Sequence, residues 1–377
     1  MSDDRLMVSV SGVRGTVGGT LTMDVARDFG SAFAAMLGVG KTVTIGTDTR
    51  PSGPAIRAAV IEGLLAGGVN VVDLGVATTP GCALMTVQLG TDGGVIITAS
   101  HNPSPYNGIK FLQPTGPGLL ATQAKQLKAI WEAGDFTPAE TPGACCVEES
   151  TDERHLAAVC GVVDVDAIAA RKFKVVVDSI NGAGCRVTPK LMAALGCELI
   201  HINATPDGDF AHAPEPIAEN LTGLCGAVRE HGADVGFAQD PDADRLVVVD
   251  EAGTFIGEEY TLALAVDYVL SDRLGPVGTN LATSHMVDDL AARAGATVFR
   301  SPTGEANVVE TMLANHCVIG GEGNGGVIDP RVVLVRNSLI GMALILEAMA
   351  KTGQTLSQRV AQIPAYVMLK TKMPCPA

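Results

Sequence analysis

The chain has 377 residues, 47% of them hydrophobic, with 26 Lys+Arg against 41 Asp+Glu and a net charge of −15. At about 150 residues per domain the length predicts two or three domains with ample material for large cores, which excludes disorder as a description of the whole. The acidic balance argues against a nucleic-acid or anionic-membrane surface, while leaving room for a local basic pocket around an anion.

The N-terminal Met1-Ser2-Asp3-Asp4-Arg5 is not a secretory signal. Short β-branched runs at 42–46, 69–74 and 94–98 alternate with Ala/Leu-rich helical stretches at 54–66 and 119–132. A Pro/Gly-rich linker at 137–143 closes this first unit, predicted over 1–145. A helical stretch at 151–163 leads into a second unit, 146–250, with strands at 174–178, 234–238 and 245–250 and a helix at 188–195. A third unit, 251–361, carries helices at 258–271 and 288–294, and residues 362–377 open with a strand pattern over 365–372. Strand–helix–strand repeats with strands apolar nearly throughout predict an α/β fold. It has three consecutive similar domains, each a mixed, mostly parallel sheet with helices on both faces. The longest apolar runs, 262–270 and 339–350, are interrupted by Asp267 and Glu347. Neither reaches the roughly 20 residues that span a bilayer. Nine cysteines lack a C-x-x-C pair, and two are adjacent at Cys145-Cys146; the pattern fits a reducing compartment, and a cytoplasmic location is expected.

Four segments carry chemistry. At the end of an apolar strand stands Thr98-Ala99-Ser100-His101-Asn102-Pro103, followed by Asn107-Gly108-Ile109-Lys110. A serine displayed on such a loop is a candidate nucleophile or modification site, with His101 and Lys110 available for proton work or phosphate binding. Taken alone, S-H-N-P is also an ordinary polar turn; the full string is far more specific. The second segment is Asp240-Pro241-Asp242-Ala243-Asp244-Arg245, whose alternate carboxylates can converge on one hard divalent cation. A helix–loop–helix calcium site is excluded, because its sixth position is Arg245 rather than glycine and strands flank it. The third, Gly320-Gly321-Glu322-Gly323-Asn324-Gly325-Gly326, offers Glu322 and Asn324 to hydroxyls on a glycine-rich turn. The fourth, Ser9 to Gly15, sets Arg14 between glycines, a guanidinium suited to phosphate or simply to solvent. Asn181-Gly182-Ala183-Gly184 lacks dinucleotide-motif spacing and reads as a helix start, Trp131 reads as a packing residue, and His155, His201, His231 and His316, without metal-ligand spacing, read as core or surface residues.

In this order the four segments resemble the α-D-phosphohexomutase family, which includes phosphoglucosamine mutase, phosphomannomutase and phosphoglucomutase. Supporting matches are Gly46-Thr47-Asp48-Thr49-Arg50, Thr79-Pro80, Asp178 and Pro214-Glu215-Pro216. The resemblance implies a phosphorylated Ser100. It also implies Mg²⁺ held by Asp240, Asp242, Asp244 and the serine phosphate, and basic groups Arg14, His101, Lys110 and Arg245 around the transferring phosphoryl. Glu322 and Asn324, with Gly304 and Glu305 upstream, fall on the sugar-binding side. The three units then become a phosphoserine-loop domain, a metal-loop domain and a sugar-loop domain.

The implied reaction interconverts hexose 6- and 1-phosphates through a hexose bisphosphate, which also serves as activator. The partner is thus a hexose phosphate, not nucleic acid or membrane, and the protein is expected as monomer or homodimer. Asn324 and Gly326 replace the serine and histidine of a common G-E-x-S-G-H loop, placing the chain closest to the phosphoglucosamine mutase/phosphomannomutase branch, with glucosamine phosphate as the expected substrate. The family's fourth domain, with its R-x-S-x-T-E-P-like phosphate loop, has no counterpart here, and 362–377 reads as its truncated beginning. Two rival expectations follow: a sugar-phosphate-binding remnant with little turnover, or a phosphatase that loses the Ser100 phosphoryl group to water.

Overall fold

The structure is a computed structural model and describes residues 5–367. In the first unit the strands β1 (Met7–Ser9), β2 (Gly12–Thr16), β3 (Thr42–Thr47), β4 (Asn70–Val76), β5 (Gly93–Ile97), β6 (Tyr106–Leu112) and β7 (Cys145–Val147) form one sheet in the order β1-β2-β6-β5-β3-β4-β7. Its helices are α1 (Met23–Leu37), α2 (Gly53–Ala66), α3 (Thr79–Gln88) and α4 (Ala121–Ala133). The sheet continues through Val147, because β7 pairs in parallel with β4, two residues past the boundary expected at 145. Two short helices, α5 (Thr151–Cys160) and α6 (Val165–Ala169), connect to the second unit.

There β8 (Lys174–Asp178), β9 (Glu198–Ile202), β10 (Val235–Gln239) and β11 (Leu246–Val249) lie in the order β11-β10-β8-β9, with α7 (Gly184–Ala194) and α8 (Thr222–His231). Helix α7 starts four residues before the expected 188 and holds Pro189 inside it, at the sixth position, where the ring forgoes one i→i−4 hydrogen bond. The third unit has α9 (Glu259–Asp272), β12 (Val277–Asn280), α10 (Met286–Ala294), β13 (Val298–Ser301), α11 (Glu305–Ala314), β14 (Ile319–Glu322), β15 (Gly326–Ile328), α12 (Ser338–Thr352) and α13 (Leu356–Val360). Its sheet order is β13-β12-β14-β15. The strand expected over 365–372 falls largely outside the described residues, and 365–367 are irregular.

Numbered within each unit, the four central strands share one order, 4-3-1-2: strands one, two and three are parallel, and the fourth returns antiparallel beside the third. The turn from third to fourth strand is therefore equivalent in all three units. It carries Ser100 between β5 and β6, the three aspartates between β10 and β11, and, at the end of β14 and in the turn to β15, Glu322 and Asn324. Carboxyl ends of parallel strands are where open α/β sheets display ligand-binding loops.

Packing fixes these turns relative to one another. One continuous core cluster runs through all three units, including Met85 and Ile96, Val177 and Leu191, then Leu246, Leu262 and Leu339. The apolar helix α12 is buried from Ser338 through Met349. The face of the first sheet that packs on α1, α2 and α4 has a separate core, where Trp131 stacks on Phe29 with centroids 4.6 Å apart. No helix among the described residues is long and apolar enough to cross a membrane.

Candidate active site

Ser100 is 4% exposed and has φ of 49°, in the left-handed region. Its N–H donates to Thr98 Oγ1 at 2.9 Å, and its hydroxyl donates to Asp240 Oδ2 at 2.7 Å. His101 Nδ1 lies 3.3 Å from the same hydroxyl. Serine and acidic trio, 140 residues apart in sequence, thus meet at the junction of the first two units.

Each aspartate is oriented by donors on one side. Asp240 Oδ1 accepts the backbone N–H groups of Asp244 and Arg245, both at 3.1 Å. Asp242 Oδ2 accepts from Thr79 Oγ1 at 2.7 Å and Lys110 Nζ at 2.8 Å. Asp244 Oδ2 accepts from Arg336 Nη2 at 2.6 Å. The remaining oxygens, Asp242 Oδ1 and Asp244 Oδ1, are buried without a hydrogen-bond partner among the described residues. One ligand oxygen from each aspartate lies within 4.8 Å of the others. Orphaned buried carboxylate oxygens are costly unless a cation takes them, and a convergent all-oxygen set fits a hard divalent ion such as Mg²⁺. The donor set therefore fits the expected metal.

The surrounding cations are held in defined states. Against the cost of burial, Asp242 and Asp244 hold the Lys110 ammonium above its ordinary range. Burial, followed by the nearby Arg245 and Arg14 charges, pushes His101 down to about 3, so the imidazole is neutral at pH 7. Burial likewise opposes ionisation of Asp242, but Lys110 and the hydroxyl of Thr79 hold its carboxyl well below the usual range. Asp240 moves the other way, raised by burial and by its two acidic neighbours.

These groups open onto a cleft of about 400 Å³ lined by Arg14, Ser100, His101, Lys110, Arg245, Gly304, Glu305, Glu322, Asn324 and Arg336. Every candidate residue from the sequence except the three buried aspartates lines it, and the aspartates lie immediately behind Ser100 and Lys110. Glu322 is not a free acceptor. Its Oε1 receives Asn280 Nδ2 at 2.8 Å and the Gly304 N–H at 3.3 Å, and its Oε2 receives Arg336 Nη1 at 2.7 Å. Glu305 Oε2 accepts both the Arg336 backbone N–H at 3.0 Å and Nε at 2.9 Å.

Arg336, which sequence reading passed over, thus ties three carboxylates from two units together. Its one sequence signal is a charged residue set among Val332, Val333, Val335 and the buried face of α12, a place where a cation needs partners. Thr79, Thr98, Asp48 and Arg50 also enter the site's support. All four stand in segments that match the family pattern, but were assigned no role from the sequence.

The chain is similar to known proteins along nearly its whole length. Models of phosphoglucomutase/phosphomannomutase alpha/beta/alpha domains I, II and III match residues 5–138, 153–253 and 257–366. A phosphoglucomutase/phosphomannomutase of Thermococcus kodakarensis is 42% identical over 368 residues, covering 96% of this chain and 81% of that protein. A protein of Methanopyrus kandleri named "Probable phosphoglucosamine mutase" is 38% identical over 369 residues, covering 97% and 81%. The crystal structure of a phosphoglucomutase/phosphomannomutase family protein from Burkholderia thailandensis aligns with a TM-score of 0.85 at 29% identity, covering 96% of this chain and 81% of that one. With three consecutive domains matched and a relative 42% identical along nearly its whole length, the chain belongs to the phosphoglucomutase/phosphomannomutase family and is a phosphohexomutase, an isomerase that moves a phosphoryl group within a hexose phosphate.

Proposed function

We propose that the chain interconverts glucosamine 6-phosphate and glucosamine 1-phosphate through a phosphoserine at Ser100 and a hexose bisphosphate. The observation that carries this reading is the buried Ser100 hydroxyl 2.7 Å from Asp240, on the wall of a cleft that also presents four basic side chains and two carboxylates. In the first half-reaction the substrate's free hydroxyl oxygen bonds to phosphorus as the bond from phosphorus to Ser100 Oγ breaks. In the second, Ser100 Oγ bonds to the other phosphorus of the bisphosphate and the sugar oxygen leaves. The proton lost by the attacking hydroxyl is regained by the leaving one, so neither water nor phosphate is consumed.

His101, 3.3 Å from Ser100 Oγ, and Lys110, 2.8 Å from Asp242 Oδ2, are the candidate groups for carrying that proton. Arg14 and Arg245 complement the charge of the phosphoryl oxygens. Magnesium held by Asp240, Asp242, Asp244 and the Ser100 oxygen supplies further neutralisation of that charge when bound. Glu322 and Asn324 face the sugar hydroxyls. The choice of glucosamine among the hexoses is in keeping with the Methanopyrus relative's name. The 42% identical Thermococcus relative, named for glucose and mannose phosphates, favours those sugars as the second reading.

The test is a coupled assay on glucosamine 6-phosphate, mannose 1-phosphate and glucose 1-phosphate with a bisphosphate activator and Mg²⁺. Isomerised product from glucosamine 6-phosphate at the highest kcat/KM supports the proposal. A higher kcat/KM for another hexose replaces the sugar. Release of inorganic phosphate without isomerisation, or binding without either, replaces the mutase reading itself.

A further inference from the structure

We propose that Arg50 is a positioning residue for the Ser100 loop: its guanidinium grips four backbone carbonyls of residues 100–106 and fixes where the Ser100 hydroxyl stands. The proposal rests on the reading of Ser100 as the phosphoryl carrier. Arg50 is 2% exposed and lies beneath the loop, outside the residues that line the cleft. Nη2 donates to Ser100 O at 2.7 Å and Asn102 O at 2.6 Å. Nη1 donates to Pro103 O at 3.0 Å and Tyr106 O at 2.9 Å. Nε donates to Asp48 Oδ2 at 3.2 Å. All five guanidinium N–H groups are therefore committed, four of them to one loop.

The same anchor reaches Ser100 from its other side. Asp48 Oδ2 also accepts Thr98 Oγ1 at 2.6 Å, and Thr98 Oγ1 accepts the Ser100 N–H at 2.9 Å. The peptide groups on both sides of Ser100 are thus tied to the Asp48–Arg50 pair. That matters because a non-glycine residue at φ of 49° persists only where its surroundings over-determine it. The face of the guanidinium is covered by the Phe210 ring from the second unit, 4.9 Å from its centroid. Lysine offers a point charge and three donors instead of a planar fork, and cannot span four carbonyls spread across the loop.

The chain is incubated with glucose 1,6-bisphosphate and Mg²⁺, and phosphoryl uptake at Ser100 is followed by intact and peptide mass. Arg50→Lys is expected to slow uptake about 100-fold, the scale of an ångström-sized misplacement. Amide exchange is expected to accelerate in 98–106 but not elsewhere. Arg50→Ala is expected to regain uptake with added ethylguanidinium but not with ethylammonium. Where an Arg50 variant fails to fold, Thr98→Val keeps the buried charge, cuts the tie to the Ser100 N–H, and is expected to slow uptake about tenfold. Wild-type uptake in both Arg50→Lys and Thr98→Val overturns the proposal. So does faster exchange spread over the whole chain with no rescue by guanidinium. A wild-type chain that takes up no phosphoryl group at Ser100 fails the reading of that serine instead, and loop exchange in Arg50→Lys still decides the positioning role.

Discussion

A serine hydroxyl is a poor nucleophile until its proton has somewhere to go and its oxygen is aimed. In the proposed role, Ser100 is aimed by an unfavourable backbone conformation, held at φ of 49° between Thr98 and the Arg50 guanidinium, while its hydroxyl donates to Asp240 Oδ2 at 2.7 Å. Replacing Ser100 with Ala deletes the oxygen and leaves the loop's backbone ties intact. We expect kcat to fall by about 10⁴-fold or more, with a stability change near the ~1 kcal/mol of one lost hydrogen bond. Steady-state kinetics with peptide mass spectrometry checks this: wild-type turnover, or phosphate retained on the peptide containing residue 100, removes the serine from its role. Ser100 and the aspartates were legible because each sits in a contiguous string with chemistry written into it. Arg336 was not, because its partners Glu322, Glu305 and Asp244 stand 14, 31 and 92 residues away. Only the fold assembles that cluster. Glu322 was legible as a polar residue of the sugar loop, but not its anchoring by Asn280 and Arg336.

At the scale of elements, the strands that sequence reading found, such as β5 and β8, have apolar runs that are nearly unbroken. It named no strand at β1, β2, β6, β7 or β9, nor any in the third unit. β1 and β7 are three residues long and mostly exposed, β6 and β9 are broken by polar residues, and β12 to β15 are three or four residues long and carry glycines or polar residues. Helix ends behaved similarly: the cap of α12 is set by a residue on another helix. Asn337 Oδ1 accepts the Leu339 N–H at 3.0 Å while its Nδ2 donates to His155 Nε2 of α5 at 2.9 Å. This uses His155 as an acceptor, hence neutral, and burial pushes its pKa down to about 4. A histidine depressed below its unfolded value of about 6.5 contributes stability that is complete above that pH and lost as pH falls toward 4. The slope is about 1.4 kcal/mol per pH unit. His155→Gln keeps a side-chain acceptor and removes the titration. Urea unfolding at pH 7 and pH 5 is therefore expected to show wild type losing about 2 kcal/mol more than the variant over that interval. Parallel profiles would mean that α5 and α12 are not joined through a neutral imidazole.

Across the whole molecule, three copies of one sheet order present the same third-to-fourth-strand turn to a shared centre. Ties between units at that centre include Ser100 to Asp240, Thr79 and Lys110 to Asp242, and Arg336 to Asp244. A divalent ion binding at the aspartates would bind the assembled junction and not the unfolded chain, so by mass action it must stabilise the fold. The gain is about 2.7 kcal/mol at a free concentration one hundred times the dissociation constant. Thermal unfolding of the wild type is accordingly expected to rise steadily with the logarithm of Mg²⁺ concentration. Asp240→Asn separates this effect from ordinary packing. The amide can still accept the N–H groups of Asp244 and Arg245 on its oxygen, and it removes one of three like charges confined within 4.8 Å. Without Mg²⁺ the variant should be no less stable than wild type, since like charges at that distance oppose folding. With Mg²⁺ its midpoint should stay where it was, because one of three oxygen ligands has lost its charge. A midpoint in Asp240→Asn that climbs with Mg²⁺ as in the wild type would place the ion's stabilising site somewhere other than between the first and second units.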